Sequence, residues 1–101
     1  MIDKGFERCY ILRADCRDNK MFVCEYLYIC DIQESCKIKE IRYSTTPNIM
    51  YADKLHHKDT CKKYCEYINK DMEQYEDNIK FDIVPVMFTT TVEERKDENW
   101  W

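Results

Sequence analysis

Along residues 6–14 apolar and aromatic side chains alternate between two faces, with Phe6, Tyr10 and Leu12 on one and Cys9 and Ile11 on the other. That two-residue repeat, rich in aromatic and β-branched types, predicts a strand. Residues 15–20, Asp-Cys-Arg-Asp-Asn-Lys, read as a turn whose Asx side chains bond local backbone groups. Residues 21–30 are the most apolar stretch and predict a second strand, antiparallel to the first through a hairpin. Val23, Leu27 and Ile29 there oppose Phe22, Cys24, Tyr26 and Tyr28. A polar turn at Gln33, Glu34 and Ser35 leads to a third strand over residues 37–44. Ile41 and Tyr43 share its inner face, and Lys37 and Lys39 suit a sheet edge.

Thr45-Thr46-Pro47-Asn48 stops that strand, because proline removes a ladder donor and restricts the residue before it. After an irregular stretch at residues 48–58, the period changes to three and four. Cys61, Tyr64, Cys65, Ile68 and Met72 form one stripe, and Lys62, Lys63, Glu66, Lys70 and Glu73 lie opposite. The spacing predicts an amphipathic helix over residues 59–75, capped by Asp59 or Thr60. Residues 79–90 then return to alternation as a fourth strand, in which Pro85 marks an edge or a bulge. The order β-β-β-α-β predicts an α+β domain over residues 1–92, a small antiparallel sheet of three to four strands with one helix on one face. Residues 93–101 read as a charged tail ending in Trp100-Trp101.

Composition narrows the function. The chain has 101 residues and one glycine, Gly5, which excludes a P-loop and a dinucleotide-binding G-x-G-x-x-G. Sixteen basic against twenty acidic residues give a formal charge of −4, the reverse of the basic field that phosphate neutralisation requires. Direct nucleic-acid binding is therefore not expected, despite a cluster at Lys54, Lys58, Lys62 and Lys63. The longest uncharged runs, such as residues 83–92, fall short of a membrane span, and the first residues carry no secretory pattern. A cytoplasmic protein without membrane attachment is expected, its seven cysteines held as thiols.

His57, Cys61 and Cys65 are spaced four apart, as zinc ligands on a helix would be. The plainer account places Cys61 and Cys65 on the apolar stripe as small hydrophobes, so no metal and no other cofactor is expected. Cys61 is also the best candidate nucleophile, near a helix start with His56 and His57 upstream. Two histidines, two serines and one glycine leave too little for an oxyanion hole and pocket, so the reading is non-enzymatic. The eight tyrosines carry more information. One helix covers one sheet face, so Tyr26, Tyr28, Phe22 or their alternates fall on the other, where tyrosine supplies contact area at low entropic cost. Trp100 and Trp101 repeat that signal. Glu73, Glu76 and Asp77 gather acids at the helix end, where they would mimic phosphates toward a nucleic-acid-binding target.

The segments Ile49-Met50-Tyr51-Ala52-Asp53, Asp59-Thr60-Cys61-Lys62-Lys63-Tyr64-Cys65-Glu66-Tyr67-Ile68-Asn69 and Lys80-Phe81-Asp82-Ile83-Val84-Pro85-Val86 resemble small accessory proteins of bacteriophages of Gram-positive hosts. In those proteins strands precede an alanine-centred turn, one amphipathic helix and a final Ile/Val strand. The chain departs from them at Cys61 and in its cysteine load. The resemblance implies an anti-defence context: an inhibitor that binds a host defence protein in the host cytoplasm, such as a CRISPR effector nuclease. Its contacts would be Glu73, Glu76 and Asp77 with Tyr26 and Tyr28, or Trp100 and Trp101. Two rivals follow from the residues. One is a protein that sequesters a nucleotide signal, with tyrosines stacking on bases and Lys54, Lys58, Lys62 or Lys63 taking phosphates. The other is a zinc-stabilised binding module. A homodimer through the open face or an edge strand is compatible with each.

Overall fold

The structure, a computed structural model, describes residues 2–75 and 79–93. Four strands, β1 (Ile2–Asp15), β2 (Tyr26–Glu34), β3 (Ile41–Thr46) and β4 (Phe81–Glu93), form one antiparallel sheet in the order β3-β2-β1-β4. One helix, α1 (Lys58–Met72), lies on one face, so the fold is α+β as the alternation and the helical stripe predict. Among the described residues no helix is long and apolar enough to cross a membrane.

The main core forms between α1 and the sheet. Leu12 and Ala14 of β1, Leu27 and Ile29 of β2 and Phe81 of β4 close around Ile68, with Ile79 and Cys16 beside them. Ile68 and Phe81 are fully buried, and trimming such a side chain to alanine costs about 2–5 kcal/mol. Asn69 fixes the helix against β4. Its Nδ2 donates to the Phe81 carbonyl at 2.9 Å and its Oδ1 accepts from the Phe81 N–H at 2.8 Å. The stripe of Cys61, Tyr64, Cys65, Ile68 and Met72 faces inward as expected, with Cys61 and Ile68 fully buried. The helix starts one residue before the expected caps. His57 occupies the N-cap without a side-chain bond, Asp59 falls inside the first turn, and helical geometry ends at Met72 in place of Tyr75.

All four strands start elsewhere than the sequence reading has them: β1 at Ile2 in place of residue 6, β4 at Phe81 in place of residue 79, and β2 and β3 at Tyr26 and Ile41 in place of residues 21 and 37. Residues 21–25 are turn and bend, yet Phe22 and Cys24 still pack on the core while Met21 and Val23 face solvent. Their alternation reflects burial without a ladder: past the bond from Cys16 N–H to the Glu25 carbonyl at 2.8 Å, only a turn bond from Phe22 N–H to the Asn19 carbonyl at 3.4 Å joins the two sides. Lys37 and Lys39 belong to the β2–β3 turn, which Ser35 N–H closes on the Glu40 carbonyl at 2.9 Å. Lys39 has φ 50°, a conformation that costs a side chain with a Cβ about 1 kcal/mol.

The sheet is forked. β1 meets β2 only through Arg13, Ala14 and Asp15, opposite Tyr28, Leu27 and Tyr26. Beyond that root β1 runs with β4 in unbroken register from Ala14 opposite Phe81 to Ile2 opposite Glu93, and β2 runs with β3. The connection after β3 fills the crotch. Asn48 Oδ1 accepts from Met50 N–H at 2.9 Å and caps a 3-10 turn at Ile49–Tyr51. Ala52 is buried on Ile11 and Tyr28, and Leu55 exchanges both backbone bonds with Tyr10 at 2.6 and 2.9 Å. Asp53 grips β2, its N–H donating to the Ile29 carbonyl at 3.0 Å. Its carboxylate accepts from Asp31 N–H at 3.2 Å and Ile32 N–H at 2.7 Å. Those two donors belong to a bulge in β2 where Asp31 has φ 53°, and the bulge changes parity so that Ile32, after Ile29, faces the core.

Candidate functional site: a groove between the helix and the third strand

A helix is about 10 Å wide, whereas four strands at about 4.8 Å spacing span more than that. α1 packs over β1 and β4, so β3 is reached only by long side chains. The gap is a groove. Near the C-terminal end of α1 it encloses about 710 Å³ between Ile41, Arg42 and Tyr43 on β3 and Tyr67, Met72 and Tyr75 on the helix side. Past Tyr67 and Ile41 it continues as about 690 Å³ bounded by Cys36, Lys39, Lys63, Glu66 and Lys70.

Two polar struts tie α1 to the sheet at the ends of the groove. At one end the Tyr43 hydroxyl donates a short hydrogen bond to the Asp71 carboxylate, whose other oxygen accepts from Gln74 Nε2 at 2.9 Å. Burial and then that carboxylate push the Tyr43 phenol well above its ordinary range. At the other end Lys63 pairs closely with Glu34, which also accepts from the Tyr64 hydroxyl at 3.2 Å. The Lys63 ammonium, and next the Tyr64 hydroxyl, hold the Glu34 carboxyl below the usual range against the opposing effect of burial. The floor is apolar and aromatic, Tyr75 is about half exposed at the mouth, and charges of both signs stand on the rim. Such a lining suits a polypeptide segment, which offers apolar, aromatic and charged groups together.

Among the described residues, none of the sequence-derived contacts lines this groove. Glu73 is the C-cap of α1, exposed, with its N–H on the Asn69 carbonyl at 3.2 Å. Glu76, Asp77, Trp100 and Trp101 lie outside the described residues. Tyr26 and Tyr28 do fall on the face away from α1, but that face is partly occupied. Tyr28 is 8% exposed, packed with Ile11 and Ala52 under the 3-10 connection. Tyr26 is half-buried beneath the guanidinium groups of Arg13 and Arg17, at 4.6 and 5.4 Å from its ring centre. Arg17 also grips Asp15 with two nitrogens at 2.5 to 3.1 Å, which lowers that carboxyl to about 2.

The lysine cluster is divided. Lys54 sits 3.5 Å from Glu7 and 4.6 Å above the Phe88 ring on the β1–β4 arm, and Lys63 is engaged by Glu34. Glu7 also meets His56 Nε2 at 2.9 Å, and this bond leads the lowering of its pKa. Among the described residues no three His, Cys, Asp or Glu side chains converge as a metal would require. His57 is exposed, Cys61 is fully buried, and the Cys65 thiol donates to the Phe81 carbonyl at 3.2 Å. Burial pushes both thiols up, away from the thiolate a nucleophile or ligand needs.

Tyr43, Tyr67, Asp71 and Tyr75 were not singled out by the sequence as site residues. The available signal was Tyr67, Asp71 and Tyr75 at four-residue spacing, one flank of α1 beside its core stripe. Comparison of the chain with protein-family models, with curated proteins and with solved structures finds no match.

Proposed function

We propose that the chain is a non-enzymatic interaction protein that docks a segment of a target protein in the groove between α1 and β3. The observation that carries this reading is the groove itself: an open, aromatic-floored trough with both charge signs on its rim, held by the Tyr43–Asp71 and Lys63–Glu34 struts. Exposed Tyr75 and Arg42 at its mouth are residue types that concentrate binding energy at protein interfaces. The more specific reading is a phage or mobile-element inhibitor of a host defence protein, such as a CRISPR effector nuclease. It rests on the resemblance of residues 49–53, 59–69 and 80–86 to phage accessory proteins.

The test has two parts. A purified CRISPR effector nuclease is assayed for cleavage with and without the protein, and capture from host lysate is compared between the natural chain and a Tyr75→Ala/Arg42→Glu variant. The expected result is inhibition by the natural chain and a loss of at least about 30-fold in target affinity in the variant, the size of a hot-spot truncation. Cleavage that proceeds unchanged at saturating protein removes the nuclease target. A variant that binds its captured target as tightly as the natural chain removes the groove. Charge reversal at Glu73, Glu76 and Asp77 separates phosphate mimicry from groove docking, since only mimicry loses binding.

A further inference from the structure

The outer edge of β4 is guarded along half its length and bare along the other half. Tyr10 directs both its N–H and its carbonyl to Leu55, so it makes no ladder bonds to Pro85, its opposite residue in β4. The backbone groups of Pro85 therefore face outward, and by the two-residue repeat so do those of Phe81, Ile83, Met87, Thr89 and Thr91. At Phe81 the outward groups are both taken by Asn69, and at Pro85 there is no N–H to offer. No such device follows. Among the described residues nothing bonds the outward groups of Met87, Thr89 and Thr91. Residues 83–92 carry no charge, which is the usual protection of an edge. The opposite edge of the same arm differs, since β1 brings Glu7 and Arg8 there.

We propose that the outer edge of β4 from Met87 to Thr91 pairs antiparallel with the same edge of a second copy of this chain, joining two four-stranded sheets into one of eight strands. Self-pairing fits this edge in particular. A two-fold axis at Thr89 sets Thr89 against Thr89 and Met87 against Thr91, so no charge meets a like charge and every outward N–H finds a carbonyl. It leaves Pro85, which lacks a donor, at the end of the ladder. Phe6 and Met87 of both copies, 66% and 54% exposed in the single chain, then lie on the same, helix-side face of the joined sheet. The seven-residue end of the β1–β4 arm, a two-stranded ribbon and thus marginal alone, becomes the middle of a four-stranded one. The contact is small and each copy carries a charge of −4, so association in the micromolar range and strengthening by salt are expected.

Sedimentation equilibrium between about 1 and 500 μM brackets that range. The natural chain is expected to pass from 12.4 kDa to twice that mass. Thr89→Pro is expected to raise the midpoint at least tenfold with an unchanged circular dichroism spectrum, because the N–H it removes points away from β1. Should that variant fail to fold, Met87→Lys/Thr89→Lys serves the same purpose. Amide exchange of Thr89 in the natural chain is expected to slow with concentration. A natural chain that stays monomeric across the range overturns the proposal, as does dimerisation unaffected by both variants. Protection of Thr89 only on adding a different protein would assign the edge to a foreign strand and overturn self-pairing. Tyr75→Ala/Arg42→Glu leaves this edge intact, so failure of the groove reading and failure of self-pairing are separable.

Discussion

At Asn69 a single amide takes the place of a fifth strand. Its oxygen and nitrogen meet the N–H and carbonyl of Phe81 at 2.8 and 2.9 Å, which seals the start of the β4 edge and fastens the helix to it. Replacing it with alanine leaves the Phe81 N–H without its partner and the Phe81 carbonyl with only the weak Cys65 thiol donor at 3.2 Å, a loss of about 1–3 kcal/mol. Urea denaturation of Asn69→Ala is expected to show that loss with an unchanged slope. Asn69→Asp is expected to be at least as damaging, since a carboxylate keeps the acceptor for the Phe81 N–H but turns a second acceptor toward the Phe81 carbonyl. A variant as stable as the natural chain would mean that the apolar contacts of Ile68 alone dock the helix.

At the scale of elements, α1 and β3 are held together by Tyr43 and Asp71 across the groove, and this strut predicts a pH dependence. The folded protein raises the Tyr43 phenol above its ordinary value of 10.0, so the native state keeps a proton that the unfolded state gives up. The strut's contribution is therefore complete below pH 10 and is lost as pH rises further. Tyr43→Phe is expected to cost about 1–3 kcal/mol at neutral pH, the worth of a hydrogen bond to a charged group, and to flatten the loss of stability above pH 10 in thermal melts. Equal alkaline slopes in both proteins would show that the strut does not form. None of this strut was legible in the sequence, because the groove exists only where one helix has chosen β1 and β4 over β3. The helix was legible, since its stripe of Cys61, Tyr64, Cys65, Ile68 and Met72 depends on spacing within one element. So was the edge position of β4, since Pro85 cannot donate to an inner ladder. Residues 21–25 misled because Phe22 and Cys24 alternate with Met21 and Val23 for burial without a ladder partner. The bulge left a trace that alternation alone overlooks: Ile29 and Ile32 both face the core but stand three apart. Of the expected contacts, Glu73 is the exposed C-cap of α1, whereas Tyr28 is packed by Ala52, a contact between residues distant in sequence.

The whole molecule is elongated, 55 × 36 × 23 Å with a radius of gyration of 17.2 Å, where a compact chain of this length has about 13 Å. The fork accounts for the excess, since the β1–β4 and β2–β3 arms share only the short root at residues 13–15 and 26–28. Such a shape holds only if the crotch is filled, and Asp53 is the residue that ties the filling segment to β2 while Leu55 ties it to β1. Asp53→Ala leaves the bulge donors at Asp31 and Ile32 without their acceptor, and the Ile32 N–H is the more buried of the two. A loss of about 1–3 kcal/mol is expected, which lowers the melting temperature of a domain this size by about 4–8 °C for each kcal/mol. Asp53→Asn retains one acceptor oxygen and is expected to fall between the two. Because the same segment carries the chain from β3 into α1, the arms should loosen together, so tyrosine fluorescence and far-ultraviolet circular dichroism are expected to report one coincident transition. Separate transitions in Asp53→Ala would show that each arm folds on its own and that the root at Arg13, Ala14 and Asp15 is all that joins them.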